Sequence, residues 1–393
     1  MSPRRTCLFY SHHSLGMGHL VRSLALAEAL VERFDVVLLN GGPLPEGVRI
    51  PTGVETVALP PIMQDDTHRL VSRDARYTAV EARALRRELI LQAYHRTTPA
   101  VILLELFPFG RRKFFEELAP MLDAARTAGD RRPVIVSSVR DLLVTGRQHR
   151  QLHDDWAAAT ANRYLDAVLM HVDPHFARLE ESFAPSAPLG VPVHYTGFVV
   201  PGGERGEAIP PRPRDGIVVS AGGGLVGEPL FRTALEAHRH LWPLLRLPMT
   251  LITGPFLSEP AWQALASLVA AQDGVRLLRF VPDLRSELAG AMASISQCGY
   301  NTALDLLRAR VPAVVVPFGE GGENEQRTRA DRLEALGLLR SLPAERLDGE
   351  RLAAEVLQLL NFVPADLRLS LDGAGESARL LAAMVQEDRV AAA

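Results

Sequence analysis

The stretch Cys7-Leu-Phe-Tyr-Ser-His-His-Ser-Leu-Gly-Met-Gly-His-Leu-Val-Arg-Ser23 decides the fold. A short apolar run passes through a glycine-containing turn into a segment of helical period, predicted as a helix from Leu20 to Arg33, which is the opening unit of a parallel α/β sheet. Gly16 and Gly18 let the backbone approach a ligand closely, and the helix start turns N–H groups towards an anion. As a dinucleotide fingerprint the turn is poor. Val21 stands where a third glycine belongs, and the second strand ends in Asn40 rather than a ribose-binding Asp or Glu. A plain packing turn is the alternative reading.

Outward from this unit the alternation continues. Strand-like runs fall at Asp35–Leu39, Val54–Leu59, Val101–Leu104, Val134–Ser138, Ala167–Met170 and Val193–Thr196, with helical segments between most of them. Residues Pro201 to Arg214 carry four prolines and no apolar period, as a linker does. A second series follows at Ile217–Ser220, Met249–Thr253, Val275–Leu278, Ser294–Ser296 and Ala313–Pro317. The predicted class is α/β, with two doubly wound, Rossmann-like domains over 1–200 and 215–375 joined by the linker 201–214. A ligand is expected in a central cleft at the carboxyl ends of both sheets. Glu376–Val390 reads as an amphipathic helix, with Leu380, Leu381, Met384 and Val385 on or near one face. The closing segment 376–393 is expected to pack back on the first domain.

Composition excludes several chemistries. The chain has 393 residues, 43 Lys+Arg against 46 Asp+Glu, and its one lysine is Lys113. A P-loop needs a lysine after its glycines, and Lys113 lies instead in Gly-Arg-Arg-Lys-Phe-Phe. Pyridoxal and Schiff-base chemistry also need a lysine, and only this one is offered. Anions must therefore be held by arginine, backbone N–H groups or helix starts. Two cysteines make no disulfide framework and no thiolate metal site, so a reducing, cytoplasmic setting is expected. The start runs straight into a strand without a signal-peptide core, and the longest charge-free stretch, Ser182 to Gly203, is broken by four prolines, so no membrane span is expected. Neither half has the basic excess of a nucleic-acid binder. His149/His153 and His171/His175 have helical spacing without a Glu in an HExxH arrangement, so a metal site is not expected.

The chemistry-bearing residues cluster at strand ends. His19 opens a helix whose dipole favours a neutral imidazole, a form suited to a general base. Glu105 ends a strand and Asp141 follows the strand Val134–Ser138; both are further candidates for the base. Between them lies Phe107-Pro-Phe109-Gly-Arg111-Arg112-Lys113, aromatics and cations that suit an anionic or lipid-linked acceptor or a membrane surface, with a buried aromatic cluster as the alternative. In the second half Gly222, Gly223 and Gly224 follow a strand and can seat a diphosphate on backbone N–H groups. Gly299, Asn301 and Thr302 open a helix that carries Asp305 one turn inside. Cys298 reads as a small loop residue. Glu323, Asn324, Glu325 and Gln326 precede another helix, and their carboxylate and amide groups suit sugar hydroxyls.

At these residues the sequence resembles the GT-B glycosyltransferases of the MurG type, most closely at Gly16-Met-Gly-His19 and from Phe280 to Gly337. The resemblance implies a GT-B fold and transfer of N-acetylglucosamine from UDP-GlcNAc to a lipid-linked acceptor, without a metal or a resident cofactor. It implies that Gly299, Thr302 and Asp305 hold the diphosphate and ribose, with Asp in place of the family's Glu. It places the sugar hydroxyls at Glu323–Gln326 and uracil against the backbone at Phe280 and Val281. The family's first loop is altered, its arginine after the interdomain strand has no counterpart near Val199 and Val200, and its peptidoglycan-acceptor motif is absent. A different acceptor is therefore expected, lipid-linked or small, with peripheral membrane contact left open. A UDP-GlcNAc 2-epimerase or nucleotide-sugar hydrolase on the same fold, and a non-catalytic nucleotide-sugar sensor, are the alternatives.

Overall fold

The structure, a computed structural model, describes residues 4–13, 18–45, 48–65, 69–146, 148–202, 213–319 and 324–392. Gly16, Glu323 and most of the expected linker lie outside the described residues. The chain divides into two compact units: one of Met1–Leu143, Gln148–Gly206 and Leu369–Ala393, the other of Val144–Arg147 and Glu207–Arg368.

The first unit is built from β1 (Arg5–Ser11), α1 (Gly18–Val31), β2 (Phe34–Asn40), β3 (Val54–Ala58), β4 (Ile62–Gln64), β5 (Leu70–Ser72), α2 (Ala79–Thr97) and β6 (Val101–Glu105). It continues with α3 (Phe115–Arg126), β7 (Val134–Val139), α4 (Arg150–Tyr164), β8 (Ala167–Met170), α5 (Leu179–Ser182) and β9 (Val193–Tyr195). Seven parallel strands lie in the order β3-β2-β1-β6-β7-β8-β9. The order reverses between β1 and β6, so the loops after these two strands splay to opposite faces and leave a ligand position at their carboxyl ends. The antiparallel β4–β5 hairpin was not foreseen, because two three-residue strands carry too little alternation to register.

The second unit repeats the plan with β10 (Ile217–Ser220), α6 (Glu228–Leu245), β11 (Met249–Ile252), α7 (Glu259–Ala270), β12 (Val275–Leu278), α8 (Leu284–Ala289) and β13 (Ala293–Ser296). It ends with α9 (Tyr300–Ala309), β14 (Ala313–Val315), α10 (Glu325–Ala335), β15 (Arg340–Ser341) and α11 (Gly349–Leu359). The order β12-β11-β10-β13-β14-β15 reverses between β10 and β13. Its core joins strand residues such as Val219, Leu251 and Ile295 to Phe231 and Leu235 of α6 and Leu352 and Val356 of α11.

α12 (Gly373–Ala392) begins three residues before the expected helix and belongs to the first unit. Its Ala374, Ala378, Leu381 and Val385 are buried in the same core as Leu20 and Leu24 of α1 and Phe9 of β1, while Leu380 and Met384 are partly covered. Four residues at helical spacing form this stripe, and each buried leucine or valine is worth about 1.5–3 kcal/mol.

Candidate active site

In the first unit, β1 and β6 deliver the two ends of one charged cluster. Glu105 is the last residue of β6 and its side chain is fully buried. His19, the second residue of α1, brings Nδ1 to 2.6 Å from Glu105 Oε1. Arg22 follows three residues later on the same helix face, and its Nη2 donates to the same oxygen at 2.6 Å. Arg111 closes the other side: Nε and Nη2 donate to Glu105 Oε2 at 3.2 and 3.1 Å, and Nη2 also donates to the His12 carbonyl at 2.7 Å.

The turn between Glu105 and Arg111 makes this possible. Leu106 takes a left-handed φ of 57°, donates its N–H to the Ser138 carbonyl at 2.8 Å and accepts from Gly110 N at 2.8 Å. Such a conformation is costly for leucine and persists because the surrounding contacts fix it. The chain thereby doubles back and lays Arg111 over the carboxylate six residues before it.

Burial would raise the Glu105 carboxyl, but His19, Arg111 and Arg22 together hold it well below the usual range. It is a carboxylate, so the nitrogen facing it must carry the proton. Burial lowers His19 to about 4 against the upward pull of Glu105. The imidazole is therefore neutral at pH 7, donates Nδ1–H to Glu105, and keeps its lone pair on Nε2. The expected neutral form is present, with burial as its leading cause rather than a helix dipole.

Of the three candidate bases, His19 has 22% of its side chain exposed, whereas Glu105 and Asp141 are both at 0%. Of the three, only His19 reaches solvent, and Glu105 holds its Nδ1 side. Arg22, which the sequence reading passed over, stands one helical turn from His19, the spacing that could have revealed it.

The aromatic turn is a correction. Phe107 and Phe109 are fully buried and do not face an acceptor or a membrane. Phe107 stacks on Phe115 and meets Trp156 edge-on, and Phe109 packs on Phe183. Arg112 and Lys113 are exposed, with the Arg112 guanidinium 5.1 Å above the Trp156 ring. Beside this cluster lies a second buried set: Arg86 bonds Glu117 through two nitrogens at 2.8 and 2.6 Å and donates to the Gly41 and Pro60 carbonyls, and Tyr10 donates to Glu117 at 2.8 Å.

In the second unit the loops after β10 and β13 meet at the reversal point. Gly224 has φ 88°, and a Cβ there would lie 2.0 Å from the Thr253 carbonyl oxygen, so only glycine fits. A Cβ on Gly222 would approach Thr302 Oγ1 to 3.3 Å, which puts the glycine loop against the start of α9. That helix opens on Gly299, whose lack of a side chain permits close approach to the helix start. Gly223 and Asn301 are half-buried and Thr302 is buried. Asp305 is half-buried one turn on, and burial pushes its carboxyl up to about 7, with Arg308 opposing. Phe280 is exposed and Val281 half-buried beyond the end of β12, and Leu225 and Val226 are exposed on the glycine loop.

The stretch expected to bind sugar hydroxyls is largely committed to internal bonds. Gln326 Oε1 accepts from Cys298 N at 3.1 Å and Phe318 N at 3.2 Å, while buried Arg329 donates to the Cys298 carbonyl at 2.6 Å. These bonds tie the ends of β13 and β14 together and leave Gln326 only its amide N–H groups for a ligand. Asn324 donates to Thr145 Oγ1 at 2.7 Å, and Glu325 is half-buried in the first turn of α10.

Comparison with known proteins agrees with this plan. Residues 218–374 match the Glycosyltransferase family 28 C-terminal domain. Over 99 residues the chain is 32% identical to the UDP-N-acetylglucosamine–N-acetylmuramyl-(pentapeptide) pyrophosphoryl-undecaprenol N-acetylglucosamine transferase of Nitrosococcus oceani, covering 25% of this chain and 28% of that protein. The chain spans about a quarter to two fifths of the length of the curated relatives it matches. The structure of Acinetobacter baumannii MurG superposes with a TM-score of 0.56 at 14% identity, covering 98% of this chain and 100% of that one. The glycotransferase of kitacinnamycin gives a TM-score of 0.61 at 17% identity, covering 98% of both chains. These likenesses show the fold of GT-B glycosyltransferases.

Proposed function

We propose that this MurG-like chain of GT-B fold, whose residues 218–374 are a glycosyltransferase family 28 C-terminal domain, is an inverting, metal-independent glycosyltransferase. It moves a sugar from a nucleotide-linked donor, with N-acetylglucosamine from UDP-GlcNAc the first choice, to a hydroxyl acceptor. The observation that carries this reading is the His19–Glu105 pair at the reversal of the first sheet, a base with its free nitrogen fixed by a buried carboxylate. The donor choice is supported by the N-acetylglucosamine transferases that the chain resembles, and the cytoplasmic setting by two cysteines that are both buried and free. No helix among the described residues is long and apolar enough to cross a membrane.

In the step proposed, the acceptor hydroxyl gives its proton to His19 Nε2 and its oxygen pair forms the new bond to the anomeric carbon. The bond from that carbon to the diphosphate breaks, and its electron pair leaves on the diphosphate. Attack opposite the leaving group inverts the centre. The start of α9 and the glycine loop stabilise the departing charge, and Asp305 accepts from the ribose hydroxyls. The donor is a cosubstrate, and the step invokes no resident cofactor.

The test is UDP release from a panel of UDP-sugars with and without hydroxyl acceptors. Acceptor-dependent release is expected. No binding of any UDP-sugar at millimolar concentration refutes the proposal; free sugar or an epimer without acceptor converts it to a hydrolase or 2-epimerase, and binding without turnover to a sensor.

A further inference from the structure

The residues just before α9 are gripped by two side chains of α10 that lie one turn apart. Gln326 Oε1 accepts from Cys298 N at 3.1 Å, and Arg329 Nη1 donates to the Cys298 carbonyl at 2.6 Å. Arg329 is 2% exposed, and its guanidinium carbon lies 5.9 Å from the ring centroid of Tyr300, the first residue of α9. The same turn is stitched to the glycine loop after β10. Gln297 N donates to the Ser220 carbonyl at 3.1 Å and Gln297 Nε2 to the Val226 carbonyl at 3.3 Å.

The grip on the Cys298 carbonyl has a directional consequence. The Cys298–Gly299 peptide is trans, so its C=O and the Gly299 N–H point in opposite directions in one plane. Drawing the carbonyl towards Arg329 aims that N–H the other way. The Gly299 N–H bonds to no described residue, and a Cβ on Gly299 would meet no described atom within 4 Å, so there is room beside it. Glycine tolerates either sign of φ, so this peptide could flip at little steric cost. The bond from Arg329 opposes the flip.

We infer that Arg329 is a positioning residue: by holding the Cys298 carbonyl it aims the Gly299 N–H at the diphosphate of the nucleotide, and it sets diphosphate affinity without touching the ligand. The ligand's identity rests on the sugar-nucleotide reading above; the orientation of the peptide does not.

The experiment uses the full chain. Its two cysteines are Cys7, followed by Leu8, and Cys298, followed by Gly299. Carbonyl-labelled cysteine with nitrogen-labelled glycine therefore makes one carbonyl–amide correlation visible by NMR, that of the peptide in question. In wild type, saturating UDP should move the Gly299 amide to lower field, while saturating uridine leaves it near its unliganded position. Arg329→Met should shift the Cys298 carbonyl resonance, lose the UDP-induced amide shift and bind UDP about ten- to a hundredfold more weakly, with uridine affinity changed by less than about twofold. Arg329→Lys, which still offers a donor to the carbonyl, should recover most of the preference for UDP over uridine. Where Arg329→Met does not fold, the wild-type spectra and Arg329→Lys decide. Wild type that binds UDP without moving the Gly299 amide overturns the inference. So does Arg329→Met that weakens UDP and uridine alike, as a merely structural role would, or that keeps the wild-type preference; either leaves the sugar-nucleotide reading in place. Wild type that binds neither compound overturns both.

Discussion

Replacing Asp305 by asparagine should make the protein more stable above neutral pH while making it a poorer binder of UDP. The Asp305 carboxyl is raised from 3.8 to about 7, first by burial, with Asp283 adding to the rise and Arg308 and Arg285 opposing it. The folded state therefore keeps a proton that the unfolded chain releases near pH 4. Between these values the native state binds more protons than the unfolded state, so stability falls as pH rises and the loss is complete above about pH 7. Three units correspond to an upper bound of about 4 kcal/mol, and partial solvent contact reduces the expectation to roughly 1–3 kcal/mol. Asparagine carries no such charge. Tm followed by circular dichroism from pH 4 to 8.5 should show wild type and Asp305→Asn coinciding at the acid end and separating by about 3–10 °C at pH 8. UDP affinity, measured in parallel at pH 8, should drop about ten- to a hundredfold in the variant, because an amide cannot accept two ribose hydroxyls as a carboxylate does. Wild-type affinity should itself weaken as pH falls through 7. A pH-independent Tm difference, or a variant less stable than wild type at pH 8, refutes the reasoning.

His19→Ala should lower kcat by about 10²–10⁴-fold with UDP binding retained, and the acid limb of the wild-type rate profile should lie near pH 4 rather than at the ordinary imidazole value. Glu105→Gln should also cost kcat, since an amide no longer fixes the Nδ1–H tautomer, and it leaves Arg22 without its sealed carboxylate partner. Arg86→Ala strands Glu117, of which 2% of the side chain is exposed, and should cost about 3–5 kcal/mol in chemical denaturation. Gly224→Ala should lose UDP binding or fold poorly, because its Cβ would collide with the Thr253 carbonyl; an alanine variant of wild-type affinity would show that the glycine loop does not lie where the sheet reversal puts it.

Much of the architecture is legible in the chain. All twelve strands expected from apolar runs are present within about two residues at each end, because a buried parallel strand writes its burial as a continuous local run. The β4–β5 hairpin and the two-residue β15 escaped for the opposite reason: they are too short to have a period. At the site, His19, Glu105 and Arg111 could each be named from their places at strand ends, but their association could not. His19 and Glu105 are 86 residues apart and meet because β1 and β6 are neighbours, a fact of strand order rather than of any local pattern. The aromatic turn shows the limit from the other side. Two phenylalanines among cations read equally as a surface patch or a core, and only the packing of α3, α4 and Phe183 around them decides for the core.

The sequence by itself determined the two parallel sheets and the glycine-bearing loops at their carboxyl ends, and with Lys113 outside any P-loop motif it excluded a lysine-based phosphate site. Hydrophobic period and backbone freedom are properties of neighbouring residues, so they survive in one dimension. The tertiary structure alone decided that His19 reaches solvent while Glu105 and Asp141 do not, that Glu105 holds His19 Nδ1, and that Gln326 spends its oxygen on two backbone N–H groups. Those outcomes depend on burial and on charges brought together across strands, and electrostatic energy is set by distance in space, which the order of residues does not contain.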